Sequence, residues 1–222
     1  MISIVIPTLN EEKQLGRCLE SLLASAYPQD DAEIIVADSS STDDTVAIAE
    51  SYGAQVFQVP KFKLAARDVA TRQYAQGNII VATDADTFWP SNSLSRLVAP
   101  LLQKEEVVCT SSPRVYESPV ILRLLTGLRQ VWHVEMMFGS NSAYKKDAYV
   151  AVGGLNIEGI KNHLDADEVQ PEEEKYFLER LETVGQYIYV KNAPVFTSSR
   201  RTLDGKYRRE IGVTRFDEDM YS

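Results

Sequence analysis

Residues 78–87 read NIIVATDADT: a nearly unbroken apolar centre, Ile79 to Ala82, runs into two aspartates, Asp84 and Asp86, two positions apart. A short apolar run bounded by polar residues describes a strand covered on both faces, and such strands belong to parallel sheets with helices packed on each side. The flanking sequence agrees. Short β-rich runs at Ile2 to Ile6, Glu33 to Ala37, Gln55 to Val59 and Val107 to Thr110 alternate with amphipathic runs at Glu11 to Ala26, Thr45 to Tyr52, Leu64 to Gln76 and Pro90 to Gln103. In the first helical run Leu15, Leu19, Leu22, Leu23 and Ala26 recur at helical spacing and make one apolar stripe. This alternation predicts an α/β fold with a mostly parallel central sheet and helices on both faces.

The second half is less regular. Pro119 to Phe138 is amphipathic, its apolar residues interrupted by Arg123, Arg129, His133 and Glu135. That pattern suits either a core helix or peripheral contact with a bilayer surface. Gly139 to Lys145 reads as strand or loop, and Asp147 to Val152 as a short helix stopped by Gly153 and Gly154. Gly159 to Pro171 is a long acidic loop of the kind that forms lids. A helix at Glu172 to Val184 and strands at Gln186 to Val190 and Pro194 to Thr197 complete the pattern, and the charged tail from Ser198 reads as mobile or ordered by ligand.

With 222 residues and no internal repeat, the chain is expected to form one domain over 1–222. A net charge of -9 argues against nucleic acid as the main partner, because neutralising phosphates needs a basic surface. No run approaches the ~20 apolar residues that span a bilayer. The chain enters a strand directly from its N-terminus without a leader pattern, so a cytoplasmic location, with or without peripheral membrane contact, is the expectation. Cys18 and Cys109 lie far apart without metal spacing and read as small buried hydrophobes of a reducing compartment. The glycine-rich dinucleotide and P-loop motifs and the serine nucleophile elbow are all absent.

In an open parallel sheet ligands bind at the carboxyl ends of the strands. Here those ends are polar: Pro7-Thr8-Leu9-Asn10-Glu11, Asp38-Ser39-Ser40-Ser41-Thr42-Asp43, Asp84-Ala85-Asp86 and Ser111-Ser112. Two carboxylates at i and i+2 on an extended segment point to the same side and can share a hard divalent cation. Asp84 and Asp86 can equally form a turn and a helix cap before Pro90, and Asn10 and Glu11 can cap the first helix.

The ordered strings SIVIPTLNEEKQLGRCLESLL, IIVADSSSTDDTVAIA and AARDVATRQYAQGNIIVATDADT resemble the nucleotide-binding half of family 2 inverting glycosyltransferases of the GT-A fold. The resemblance divides the domain into a nucleotide-binding half, 1–112, and an acceptor half with its tail, 113–222. It implies transfer of a sugar from a UDP- or GDP-sugar to a hydroxyl acceptor, whether glycan, lipid-linked or small molecule, with inversion and with Mn2+ or Mg2+. Pro7, Asn10 and Glu11 would then lie along the base and ribose, Asp38 would accept from the base, and Arg67 would sit beside it, although Asp68 stands where asparagine is usual. Asp84 and Ala85 would approach the nucleotide, and Asp84 and Asp86 the metal.

Further on, GSNSAYKKDAYVAVGGLN resembles the acceptor-side segment, with Asn141 the candidate contact, and PEEEKYFLERLETVG resembles the family's Glu-Asp pair and following helix. That alignment places the pair on Glu173 and Glu174 and implies Glu174 as base, with Glu172 and Glu173 as rivals. Arg200 and Arg201 suit a diphosphate by bidentate hydrogen bonding, or form an ordinary basic tail. The altered acidic pair also allows a non-catalytic nucleotide-sugar-binding protein of the same fold.

Overall fold

The computed structural model describes residues 1–59, 61, 63–117, 141–155 and 176–198. The expected amphipathic stretch 119–138, the acidic loop 159–171, the start of the last helix with Glu172, Glu173 and Glu174, and the tail with Arg200 and Arg201 lie outside these residues.

The central sheet has the order β3-β2-β1-β4-β8-β6-β9. Its strands are β1 (Ile2–Thr8), β2 (Ala32–Asp38), β3 (Gln55–Gln58), β4 (Ile79–Thr83), β6 (Val107–Ser111), β8 (Asn141–Lys145) and β9 (Gln186–Tyr189). All run parallel except β8, which is antiparallel to both its neighbours, β4 and β6. Side chains alternate between two cores, as the period of a strand requires. Ile4, Ile6, Ile79 and Val81 pack with Leu15, Leu19 and Leu22 of α1 (Leu15–Leu23), Ala49 of α2 (Thr45–Ser51) and Leu94, Leu97, Val98 and Leu101 of α4 (Ser93–Gln103). Val5, Ile35, Ile80 and Ala82 pack on the other face with Leu64 and Ala66 of α3 (Lys63–Val69), Ala148 and Tyr149 of α5 (Lys146–Ala151), and Phe177, Leu178 and Leu181 of α6, residues 176–182. Helices thus cover both faces, as expected from the sequence.

Three details depart from the sequence pattern. First, α1 begins at Leu15, not Glu11: Gln14 and Leu15 both donate to Glu11 O at 3.0 Å, so residues 12–14 form a separate turn. Second, α3 ends at Val69 and continues as a π-helical turn, Ala70–Tyr74, in which the Ala75 N–H reaches five residues back to Ala70 O at 3.0 Å. The Tyr74 ring then lies flat against Phe57 of β3, with centroids 3.9 Å apart and planes 4° from parallel. Third, the chain forms two short strands with no periodic signature, β5 (Thr87–Phe88) and β7 (Arg114–Glu117), which flank β10 (Val195–Ser198) in a second sheet. Arg17 of α1 holds this sheet through both carboxylate oxygens of Glu117, each at 2.6 Å, and lies 5.0 Å over the Phe88 ring.

Gly77 precedes β4 where the chain passes close to β1, and its N–H donates to Ser3 Oγ at 2.7 Å. A Cβ there would stand 2.6 Å from Ser3 N, a backbone atom that cannot rotate away. Gly77→Ala is expected to destabilise the protein by about 1–3 kcal/mol, read as a lower urea midpoint at unchanged slope.

Candidate active site

The parallel strands finish along one edge of the sheet. Thr8, Asp38, Thr83 and Ser111 end β1, β2, β4 and β6. Because β8 runs the other way, its first residue, Asn141, arrives at that same edge opposite Thr83. The polar strand ends of the sequence are therefore neighbours.

The loops after β1 and β2 are joined side by side. Asn10 takes φ 55 and Ser40 φ 69, a left-handed backbone that asparagine tolerates better than most residues. Asn10 Oδ1 accepts from Thr42 N at 2.9 Å, Asn10 N donates to Ser41 Oγ at 2.9 Å, and Glu11 N donates to Thr45 Oγ1 at 2.8 Å. The alternative of Asn10 as a cap of α1 is thereby corrected. Its side chain serves the facing loop, and Gln14, the residue ahead of α1, makes no side-chain cap bond. Pro7 lies buried within β1 opposite Ala37, and Glu11 is buried beside the facing loop.

Asp38 is fully buried and organises both loops. Its Oδ1 accepts from Thr8 Oγ1 at 3.1 Å and Ser41 Oγ at 2.5 Å, and its Oδ2 from Ser41 N at 2.9 Å and Gln58 Nε2 at 3.1 Å. A carboxylate offers about four acceptor positions. As placed, Asp38 uses them within the chain, and a nucleotide base would reach it by displacing Ser41 or Gln58.

Asp84 and Asp86 do not lie on an extended segment. Thr87 N–H donates back to Asp84 O at 3.1 Å, closing Asp84-Ala85-Asp86-Thr87 into a turn. This corrects the extended geometry, and also the helix cap before Pro90, since α4 begins at Ser93. The turn is buttressed from below: buried Trp89 donates from Nε1 to Thr83 Oγ1 at 2.9 Å and from N to Ser21 Oγ at 3.0 Å. Ala85 is buried, and Asp86 accepts from Thr197 Oγ1 at 3.2 Å on β10.

The Asp84 carboxylate faces two cations of α3. Lys63 Nζ is 2.7 Å from Oδ2, and Arg67 NH2 is 3.1 Å from Oδ1. Burial pushes the acid up, but the charges of Lys63 and Arg67, with Arg114 of β7 adding to them, outweigh it and hold Asp84 at about 2. Arg67, which the resemblance sets beside a base, is thus tied to Asp84, and its buried Nε has no hydrogen-bond partner among the described residues. Its neighbour Asp68 turns away: it holds Arg72 Nε at 2.9 Å and accepts from Tyr149 OH, joining α3 to α5. Lys63 and Arg114 went unread in the sequence. The i, i+4 spacing of Lys63 and Arg67 was the available signal for the first.

Asn141 is fully buried and donates from Nδ2 to Ser112 O, while its Oδ1 and Ser112 Oγ have no hydrogen-bond partner among the described residues. Among the described residues no cluster of three or more His, Cys, Asp or Glu side chains could hold a metal alone. The hard oxygens of Asp84 and Asp86 are of the type that Mg2+ and Mn2+ accept, with further positions filled by substrate oxygens and water. Cys18 and Cys109 are buried and unpaired, as expected, and burial raises both thiols.

The sequence profile of glycosyl transferase family 2 matches residues 3–153, more than half of the chain. The chain belongs to that family. A glucosyl-3-phosphoglycerate synthase of Petrotoga mobilis is 42% identical over 96 residues, covering 38% of this chain and 29% of its own length. A 4,4'-diaponeurosporenoate glycosyltransferase of Staphylococcus aureus is 31% identical over 175 residues, covering 69% of this chain and 46% of its own. The chain thus spans less than half the length of either curated relative. Among solved structures, the mannosyltransferase PcManGT of Pyrobaculum calidifontis, in complex with GDP-Man and Mn2+, superposes with a TM-score of 0.67 at 22% identity, over 88% of this chain and 56% of that one. The family and this likeness establish the GT-A fold.

Because Asp84 is held below its ordinary 3.8, its ion pairs are complete above about pH 4 and are lost as pH falls toward 2. In chelator, wild type is expected to lose stability over that window by on the order of 2 kcal/mol more than Asp84→Asn, measured by urea unfolding at each pH.

Proposed function

We propose that this family 2 glycosyltransferase transfers a sugar from a UDP- or GDP-sugar to a hydroxyl acceptor with inversion, in a reaction that uses Mn2+ or Mg2+. The observation that carries the reading is the Asp84-Ala85-Asp86 turn, with Asp84 paired to Lys63 and Arg67, at the edge where β1, β2, β4, β6 and β8 converge. Asp84 and Asp86 would hold the cation, which supplies positive charge to the departing diphosphate. Pro7, Asn10, Glu11, Asp38 and Arg67 line the neighbouring strand ends and would receive the nucleotide. Asn141, with Oδ1 unmet among the described residues, would face the acceptor side. Glu174 takes the proton from the acceptor hydroxyl as its oxygen attacks the anomeric carbon, with Glu173 as its rival, and Arg200 and Arg201 steady the diphosphate.

The complex of PcManGT with GDP-Man and Mn2+ supports a nucleotide-sugar donor and a divalent cation. The two curated relatives are named for different acceptors, so likeness does not choose one. The run Glu172 to Glu174, in place of a Glu-Asp pair, favours one other reading, a protein of this fold that binds nucleotide sugar without turning it over.

Calorimetry with Mn2+ present is expected to show binding of UDP or GDP, and loss of both would remove the donor reading. In a turnover assay Glu174→Gln is expected to lower kcat by about 10²–10⁴-fold, with donor affinity unchanged. Nucleotide binding with no turnover in wild type would instead support the non-catalytic reading.

A further inference from the structure

Both oxygens of Asp84 are taken by cations of the chain itself, and the two cations differ in freedom. Arg67 has a side chain only 3% exposed, whereas the Lys63 side chain is 24% exposed and sits at the first turn of α3. An ammonium is a compact, strongly hydrated charge on a flexible stem, so Lys63 can leave where Arg67 stays. We infer that Lys63 is an internal counter-cation, holding the Asp84 oxygen that a divalent metal would take and releasing it when a nucleoside diphosphate offers the ammonium phosphate oxygens instead. This rests on the reading of Asp84 and Asp86 as the metal-holding pair.

The charges on Asp84 favour it. A bare divalent cation entering here meets Lys63 and Arg67 already paired to that carboxylate. Both oppose its arrival. A diphosphate reverses the sign of the site's need, since it brings more negative charge than one divalent metal neutralises and gives Lys63 somewhere to go. Metal and nucleotide therefore bind cooperatively, each improving the other by the same factor. No change of backbone is needed, only rotation of one side chain from carboxylate to phosphate.

The test titrates Mn2+ into the protein, following free Mn2+ by electron paramagnetic resonance, with and without saturating UDP or GDP and corrected for Mn2+ held by free nucleotide. Wild type is expected to bind Mn2+ alone weakly and to bind it more tightly with nucleotide present. Lys63→Met is expected to bind Mn2+ alone about tenfold more tightly, with the gain from nucleotide reduced by a similar factor, a coupling of ordinary size for two ligands. Lys63→Arg keeps the charge but not the mobile ammonium, and is expected to bind Mn2+ alone as weakly as wild type with a smaller gain from nucleotide; Lys63→Gln serves as a second neutral variant if Lys63→Met does not fold. Equal Mn2+ affinity in wild type and the neutral variants, while wild type still binds nucleotide with Mn2+, overturns the inference and leaves the donor reading standing. Failure of wild type to bind either nucleotide with Mn2+ overturns the donor reading, and the inference with it.

Discussion

A carboxylate drawn out of water must be met by opposite charge or give up its own, and Asp84 is the residue around which this molecule satisfies that demand. Its side chain is 15% exposed. Keeping it ionised requires Lys63 and Arg67 on one face of α3, Arg114 at the head of β7, and a turn that presents both oxygens to them. Each requirement constrains a different part of the chain. Helix α3 must pass over the end of β4, the second sheet must close beside it, and Trp89 must fill the space beneath with its indole N–H directed to Thr83. The site's electrostatics and the junction between the two sheets are one construction.

Asp38 solves the same problem differently. It has no cation among its hydrogen-bond partners and is satisfied by three side-chain donors and one backbone N–H, which fasten the ends of β1, β2 and β3 together. Charge at Asp84 is balanced by charge and so is sensitive to any ion that enters. Asp38 is met by dipoles and shapes the rim. The two carboxylates, at the ends of strands separated by β1, are thus satisfied in different ways.

The sheet was legible in the sequence because Ile, Val and Ala at alternate positions of β1, β2 and β4 must face two cores, and no other arrangement buries them. The edge was legible too, since four strand ends are marked by polar residues and the family strings run through three of them. What the sequence did not carry is mostly non-local. Lys63 meets Asp84 across 21 positions, and Arg114 belongs to a four-residue strand whose mixed composition has no period. The two residues of β5 are too few to show one. The turn at Asp84 was one of two readings for the same residues, and the backbone bond from Thr87 decides it. The π-helical turn is invisible to a periodicity reading because it adds one residue inside a stretch that remains helical. The base and the arginine pair were read by resemblance alone, and they lie outside the described residues.

The reversed strand β8 has a consequence for how the edge of the sheet is held. The chain leaves one described segment at Glu117, whose register partner Ser198 donates to Asp86 O at 3.2 Å, and the next described segment opens at Asn141, opposite Thr83. Both points flank the same few residues. Because β8 pairs with β4 on one side and β6 on the other, a slip of β8 by one residue along these ladders would carry Asn141 away from Thr83 and turn its side chain to the other face, so the edge works as a keyed joint.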